Sequence, residues 1–242
     1  MPSPDSKPGF GAFDSNSSED DAMWLPRIIS RPVLPFEPTR FVAELPHARA
    51  AVRFSMNRGL PLAAIAAMPA KEGTSEVLGT AVRFESVTEH PNGDLEVDAV
   101  GLRPFKVISD RAQAYKLGQG ERAVMINMVR VSWRDDHGTR EKTASLALRD
   151  QLFGLLESVG PVDSDEMRNG KSLASDAEFS WWVAARLPLP PAARGILLHI
   201  SSAHERLSVC ATVLAAASEG FPGKGELPGG HAVCAMQCCS RL

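Results

Sequence analysis

Residues Glu76–Ile108 read EVLGTAVRFESVTEHPNGDLEVDAVGLRPFKVI, and this stretch decides the fold. Val77, Thr80, Val82, Phe84 and Val87 are β-branched or aromatic side chains that suit a pleated, half-buried surface. Pro91-Asn92-Gly93-Asp94 comes next. An Asn-Gly pair between two β-rich runs predicts a hairpin with a type I′ turn, which needs positive φ at both central positions. Past the turn, Leu95, Val97 and Ala99 alternate with Glu96, Asp98 and Val100, close to a period of two. Gly101 breaks the run, and Phe105, Val107 and Ile108 resume it as a third strand. No catalytic motif accompanies the stretch, so it reads as architecture.

Composition sets the frame around it. At 242 residues with 44% hydrophobic content, the chain is long enough to bury a sizeable core in one large domain or two small ones. A net charge of −3, with the two signs interspersed, offers no basic block for nucleic acid and no acidic tail for a basic partner. The four cysteines are Cys210, Cys234, Cys238 and Cys239. They crowd the C-terminus instead of spreading as a disulfide framework would, which argues for a reducing, cytoplasmic location. The N-terminus lacks a charged segment followed by an apolar run, as a signal peptide would have. The longest apolar run, Leu60–Ala70, is proline-interrupted and too short to span a bilayer, so no membrane role is expected.

Residues 1–24 are rich in Ser, Pro, Gly and acid and are expected to form a disordered tail. A β-rich lobe over 25–134 follows. Within it, Arg31–Pro38 reads as an edge strand or extended segment because of its prolines. Thr39–Asn57 has helical spacing that Pro46 must break or kink. Leu60–Met68 reads as a buried strand, Ala112–Gln119 as a loop, Glu121–Trp133 as a strand and Asp135-Asp136-His137-Gly138 as a turn. Residues 135–217 then form a helical lobe of four helices. The first covers Arg140–Val159, stopped by Gly160-Pro161. Capping boxes at Ser175–Glu178 and Ser202–Glu205 open two others, and Pro188, Pro190 and Pro191 separate the middle pair. Ile196, Leu197, Leu198 and Ile200 supply an apolar face to the third helix. Residues 218–242 are a flexible Gly/Pro/Cys tail. Strands grouped first and helices second define an α+β fold with two lobes.

Several short motifs follow one another along the chain: Pro35-Phe36-Glu37-Pro38-Thr39-Arg40-Phe41, Gly79-Thr80-Ala81-Val82, Pro91-Asn92-Gly93 and Gly101-Leu102-Arg103-Pro104-Phe105-Lys106-Val107. In the second half they continue with Ser180-Trp181-Trp182-Val183-Ala184, Leu187-Pro188-Leu189 and Glu205-Arg206-Leu207. In this order they resemble the motifs of the substrate-binding N-terminal domain of Lon proteases. The likeness spans roughly residues 30–217. It departs from the family at Leu25-Pro26-Arg27-Ile28-Ile29, at Pro46 and at Pro104. It implies a small PUA-like β-barrel followed by a C-terminal helical bundle.

The residues offer little chemistry. Gly170-Lys171-Ser172 is the end of a phosphate-loop pattern without its start, since Asp165 stands where the first glycine belongs. There is no His-Glu-x-x-His and no Gly-x-Ser-x-Gly. His199 and His204 lie five apart and share no helix face, so neither is read as a metal ligand. Asp135 and Asp136 read as a solvated turn. Trp181-Trp182 reads as one ring in the core and one at the lobe interface. The tail cysteines with His231 are too compressed for a zinc site. No catalytic residue, metal ligand or cofactor is assigned, and the substrate-binding residues are not legible.

The resemblance therefore implies a non-enzymatic protein-recognition module that binds unfolded or target polypeptides in protein quality control and turnover. The binding surface would be a groove between barrel and bundle, or an exposed barrel edge. Two alternatives remain open at this point. Cereblon-like proteins carry a zinc domain after a Lon-like domain, which suggests a ubiquitin-ligase receptor or adaptor with a truncated zinc module. PUA-like barrels elsewhere bind RNA, but the mixed charge argues against nucleic acid.

Overall fold

The computed structural model describes residues 22–66, 76–116, 122–134, 146–159, 163–173 and 175–220. Among the described residues, the β half holds six strands and one helix. They are β1 (Met23–Ser30), β2 (Pro38–Ala43), α1 (Pro46–Arg58), β3 (Leu62–Ala66), β4 (Leu78–Glu89), β5 (Leu95–Tyr115) and β6 (Val124–Trp133). Five helices follow: α2 (Leu146–Val159), α3 (Ser164–Ser172), α4 (Asp176–Arg186), α5 (Pro191–His199) and α6 (Ala203–Gly220).

The strand order is β2-β5-β4-β3-β1-β6, and β5 also pairs with β6, so the sheet closes on itself. Closure depends on the length of β5. Its first half, Leu95–Val100, lies between β2 and β4, while Phe105–Tyr115 pairs with Trp133–Val124 of β6. β1 completes the ring by pairing parallel to β3 through Arg27–Ser30 and antiparallel to β6 through Met23–Pro26. The interior is apolar. Leu25, Ala63, Ile65, Ala81, Phe105, Val129 and Val131 form one buried cluster. Leu62, Val82, Leu95, Val97, Ile126 and Met128 form another with Ala50, Val52 and Phe54 of α1. Burying a side chain of this size stabilises the fold by roughly 1.5–3 kcal/mol.

The helices pack around Phe153, Phe179 and Trp182, whose ring centroids lie 5.2–6.0 Å apart. Leu34 and Leu78 of the β half belong to the same cluster as Leu187, Leu197, Leu198, Leu207 and Leu214. The lobes therefore share a core.

The hairpin forms where the Asn-Gly signal puts it, but its turn differs. Gly93 N–H donates to the His90 carbonyl at 2.8 Å and His90 N–H to the Asp94 carbonyl at 2.9 Å. Gly93 has φ +83°, and Asn92 is not among the positive-φ residues. Pro91 fixes φ near −65° at the first central position, which forbids a type I′ turn. The chain instead makes a type I turn followed by a left-handed glycine. The Asn92 carboxamide oxygen accepts from Asp94 N–H at 3.1 Å and supports the bend.

Other expectations are corrected. Gly101 does not split β5. A Cβ there would lie 2.1 Å from the Leu34 carbonyl oxygen, so the glycine admits a close backbone approach within a continuous strand. Ala112–Tyr115 is strand, held by Gln113–Ala114 pairing with Met125–Ile126. Thr39–Ala43 is strand β2, and Pro46 does not kink a helix but starts one at a position where its missing N–H has no bond to lose. Arg31–Glu37 is a turn-containing connection, with β2 starting at Pro38. The bundle has five described helices, not four. The extra one is α3, whose N-cap Asp163 accepts from Asp165 N–H at 2.8 Å. Ile196 is 55% exposed, while Leu197 and Leu198 are buried. The Ser175 and Ser202 caps form as expected, accepting from Glu178 N–H at 3.1 Å and Glu205 N–H at 3.3 Å.

Candidate functional site

The motif around Phe36-Glu37-Pro38 builds the junction between the lobes. Leu34–Glu37 is a tight turn, with Glu37 N–H donating to the Leu34 carbonyl at 3.1 Å. Pro35 takes the first central position and Phe36, at φ +64°, the second. That is the geometry of a type II turn, which normally asks for glycine there. A non-glycine residue held in this region costs about 1–3 kcal/mol and persists only where its surroundings fix it. Here they do. Phe36 N–H donates to the Gly101 carbonyl at 2.8 Å, Gly101 N–H donates to the Glu37 carbonyl at 3.0 Å, and the ring packs on the bundle core.

The turn aims the Glu37 carboxylate inward, where the residue is 4% exposed. One oxygen accepts from Leu34 N–H at 3.0 Å. The other accepts from the Arg194 guanidinium of α5, with Arg31 at 3.3 Å. Arg194 also donates through Nε to the Leu189 carbonyl at 2.9 Å. A second clamp lies at the end of β6, where Arg134 donates to the carbonyls of Leu198 and His199. A cation there suits the negative end of the α5 dipole. Burial depresses the His199 pKa below the usual histidine value, reinforced by the Arg134 charge and opposed by Glu76.

Within the bundle, Arg206 is fully buried. Its Nε donates to Ser180 Oγ at 2.9 Å, its Nη1 to the Ile200 carbonyl at 2.7 Å, and its guanidinium lies 3.6 Å from the Trp181 ring centroid. Sequence motifs at 180–184 and 205–207 thus meet in one contact. Both tryptophans are buried, at 5% and 2% exposure, in the cluster that the two lobes share. Trp182 explains Gly170. A Cβ at Gly170 would lie 2.5 Å from the indole, so this glycine packs against a ring and Lys171 lies over Phe153 at 5.4 Å. Cys210 is buried and its thiol is pushed up to about 12 by that burial. The turn at 135–138, the tail cysteines Cys234, Cys238 and Cys239, and His231 lie outside the described residues.

On the outer face of β2, β5 and β4 lies a shallow depression of about 440 Å³ lined by Pro38, Thr39, Arg40, Glu85, Ser86, Asp98 and Ala99. Arg40 Nε donates to Asp98 at 2.6 Å, Ser86 Oγ donates to the same carboxylate at 2.9 Å, and Glu96 faces Arg40 at 3.3 Å. The hydrogen bond from Arg40, then that from Ser86, hold Asp98 below the usual carboxylate range. Pairing of β4 with β5 skips a register between Phe84 and Ser86, so Glu85 is bulged out at the rim. Neither Arg83–Glu89 of β4 nor β2 has a described pairing other than with β5. Among the described residues, no group of His, Cys, Asp and Glu could hold a metal ion, and no helix is long and apolar enough to cross a membrane.

A barrel joined to a helical bundle through a shared core is the fold of a Lon N-terminal domain. Two solved structures carry that likeness. A Lon N-terminal domain protein from Xanthomonas campestris matches with a TM-score of 0.53 at 20% identity, over 78% of this chain and 98% of that one. The N-terminal domain of the Mycobacterium avium complex Lon protease matches with a TM-score of 0.52 at 15% identity, over 83% of this chain and 100% of that one. No family model and no curated protein sequence matches the chain.

Proposed function

We propose that this chain is a non-enzymatic module that recognises unfolded or target polypeptides for quality control and turnover. The observation that carries this reading is the Lon N-terminal fold extending over 78% of the chain. The geometry of the surface is consistent with it. The polar network Arg40-Asp98-Ser86 on the barrel is engaged with itself, unlike a poised nucleophile and base. Recognition falls to side chains more than to strand addition. Pro38 and Arg40 blunt the β2 edge, and the Glu85 bulge distorts the β4 edge.

The test is to titrate the purified chain against a model protein held unfolded by reduction and alkylation, and against its native form. Preferential binding of the unfolded form supports the reading. Equal or absent binding removes it.

A further inference from the structure

We propose that the sheet face around Trp24 docks an acidic segment of this same chain, Glu19-Asp20-Asp21, and that this contact shields a cationic face from acidic segments of other chains.

The face is built by strand pairing. Trp24 of β1 lies opposite Arg130 of β6, and Arg130 lies opposite Ser109 of β5. Two residues past Ser109, on the same side of β5, Arg111 reaches across β6 and lays its guanidinium 4.0 Å from the Trp24 ring centroid. The half-buried indole is thus flanked by two exposed arginines. Arg58, in the last turn of α1, stands on this side as well. Its neighbour Asn57 donates to Tyr115 Oη at 2.7 Å, and Tyr115 shares a side of β5 with Arg111. Among the described residues, no carboxylate meets Arg58, Arg111 or Arg130. Asp110, next to Arg111 in sequence, turns to the opposite side, where Arg27 lies at 3.9 Å. By contrast, Arg40, Arg49, Arg53 and Lys106 each meet a carboxylate at 2.5–3.6 Å. A guanidinium stacked on a ring keeps its in-plane N–H donors for an acceptor at the rim, so Arg111 is posed to take a carboxylate without leaving Trp24.

The occupant is read from charge and tether. The chain as a whole carries −3, but residues 1–21 hold Asp5, Asp14, Glu19, Asp20 and Asp21 against Lys7 alone. Three of these acids stand together, and only Ala22 separates them from β1. At about 3.5 Å per residue, Asp21 lies within about 7 Å of Met23 and Glu19 within about 14 Å. The run can therefore turn back at Ala22, where strand pairing has ended, and reach Arg130 and Arg111. A tether this short gives an effective concentration on the order of millimolar, which favours the chain's own acids over those of another chain.

The test is a competition on the full chain. A fluorescently labelled synthetic peptide of residues 12–22 is titrated against the wild-type chain and against a variant carrying Glu19→Gln, Asp20→Asn and Asp21→Asn. None of these substitutions falls on a strand or helix of the fold described above. The peptide should bind the neutralised variant roughly 3–10-fold more tightly, because the tethered run no longer occupies the face. That binding should weaken as salt rises. Adding Arg111→Gln and Arg130→Gln to the neutralised variant should abolish it, while Arg130→Lys, which keeps the charge, should retain most of it. Equal affinity for the wild-type and neutralised chains overturns the proposal and leaves the face to an acidic partner from outside. Absence of binding to the neutralised chain, or binding that survives loss of both arginines, overturns it as well. A difference that changes with protein concentration assigns the contact to a second copy and removes the intramolecular one.

Discussion

Truncating Glu37 to alanine should be among the most damaging single changes in this protein. The carboxylate is buried beside an Arg194 side chain that is 12% exposed, across 157 residues of sequence. Its removal takes away a charge-assisted hydrogen bond worth about 1.5–3 kcal/mol and orphans Leu34 N–H in the strained turn. It also leaves a guanidinium in an apolar junction, and breaking a buried pair in this way costs about 3–5 kcal/mol in total. Arg194 keeps its bond to the Leu189 carbonyl, which places the expected loss at the lower end. Arg31, being 48% exposed, adds under about 1 kcal/mol. Urea unfolding of the whole chain should show a lower midpoint, and the melting temperature should fall by about 6–20 °C for a protein of this size. Combining Glu37→Ala with Arg194→Ala should cost less than the sum of the two by about 1.5–3 kcal/mol. A loss under about 1 kcal/mol for Glu37→Ala, or additive single changes, would refute the clamp.

Gly170→Ala should destabilise by about 1–3 kcal/mol in thermal melts, because overpacking against the Trp182 ring outweighs the helix-propensity gain of about 1 kcal/mol; a stabilised variant would show that the ring yields freely. His199 has a folded pKa below its unfolded value, so its contribution is fully present above the unfolded value of about 6.5 and drains away as pH falls through the folded pKa. The slope of stability against pH below neutrality should accordingly flatten in His199→Gln, as read by urea midpoints across pH. Cys210, with its thiol at about 12 and no exposure, should resist iodoacetamide at pH 8 in the native chain and react on unfolding, which peptide mapping by mass spectrometry resolves from the other cysteines.

What the sequence made legible follows from the range of the interactions involved. The hairpin, the serine caps at Ser175 and Ser202 and the proline that begins α5 are local signals, and each stands where it was read, although the Glu178 carboxylate meets the Ser175 hydroxyl and not the cap N–H. Failures came where a local pattern fits two structures. Phe41, Val42 and Leu45 suit a helix face, but Thr39–Ala43 alternates buried and exposed because β5 lies beside it. α3 was missed because only Met167 and Gly170 of its nine residues are buried, leaving too faint an apolar stripe. The junction was out of reach for another reason. Glu37 belongs to the Pro35–Phe41 motif, yet its partner lies on α5, and nothing in either neighbourhood names the other. The depression is harder still, since Glu85 acquires its direction from a register slip that only strand pairing reveals.

The separation across the junction also sets a clock. Ribosomes add about 5–20 residues per second, so Glu37 waits about 8–30 s during synthesis before Arg194 exists to meet it. β1 likewise waits for β6 before the ring can close. During that interval the Phe36 turn has neither the bundle core nor its ion partner to hold it, and the barrel's apolar strands stand open. A nascent chain of this design is itself an incompletely folded polypeptide for much of its own synthesis, and assembly of the helical lobe marks its release from that state.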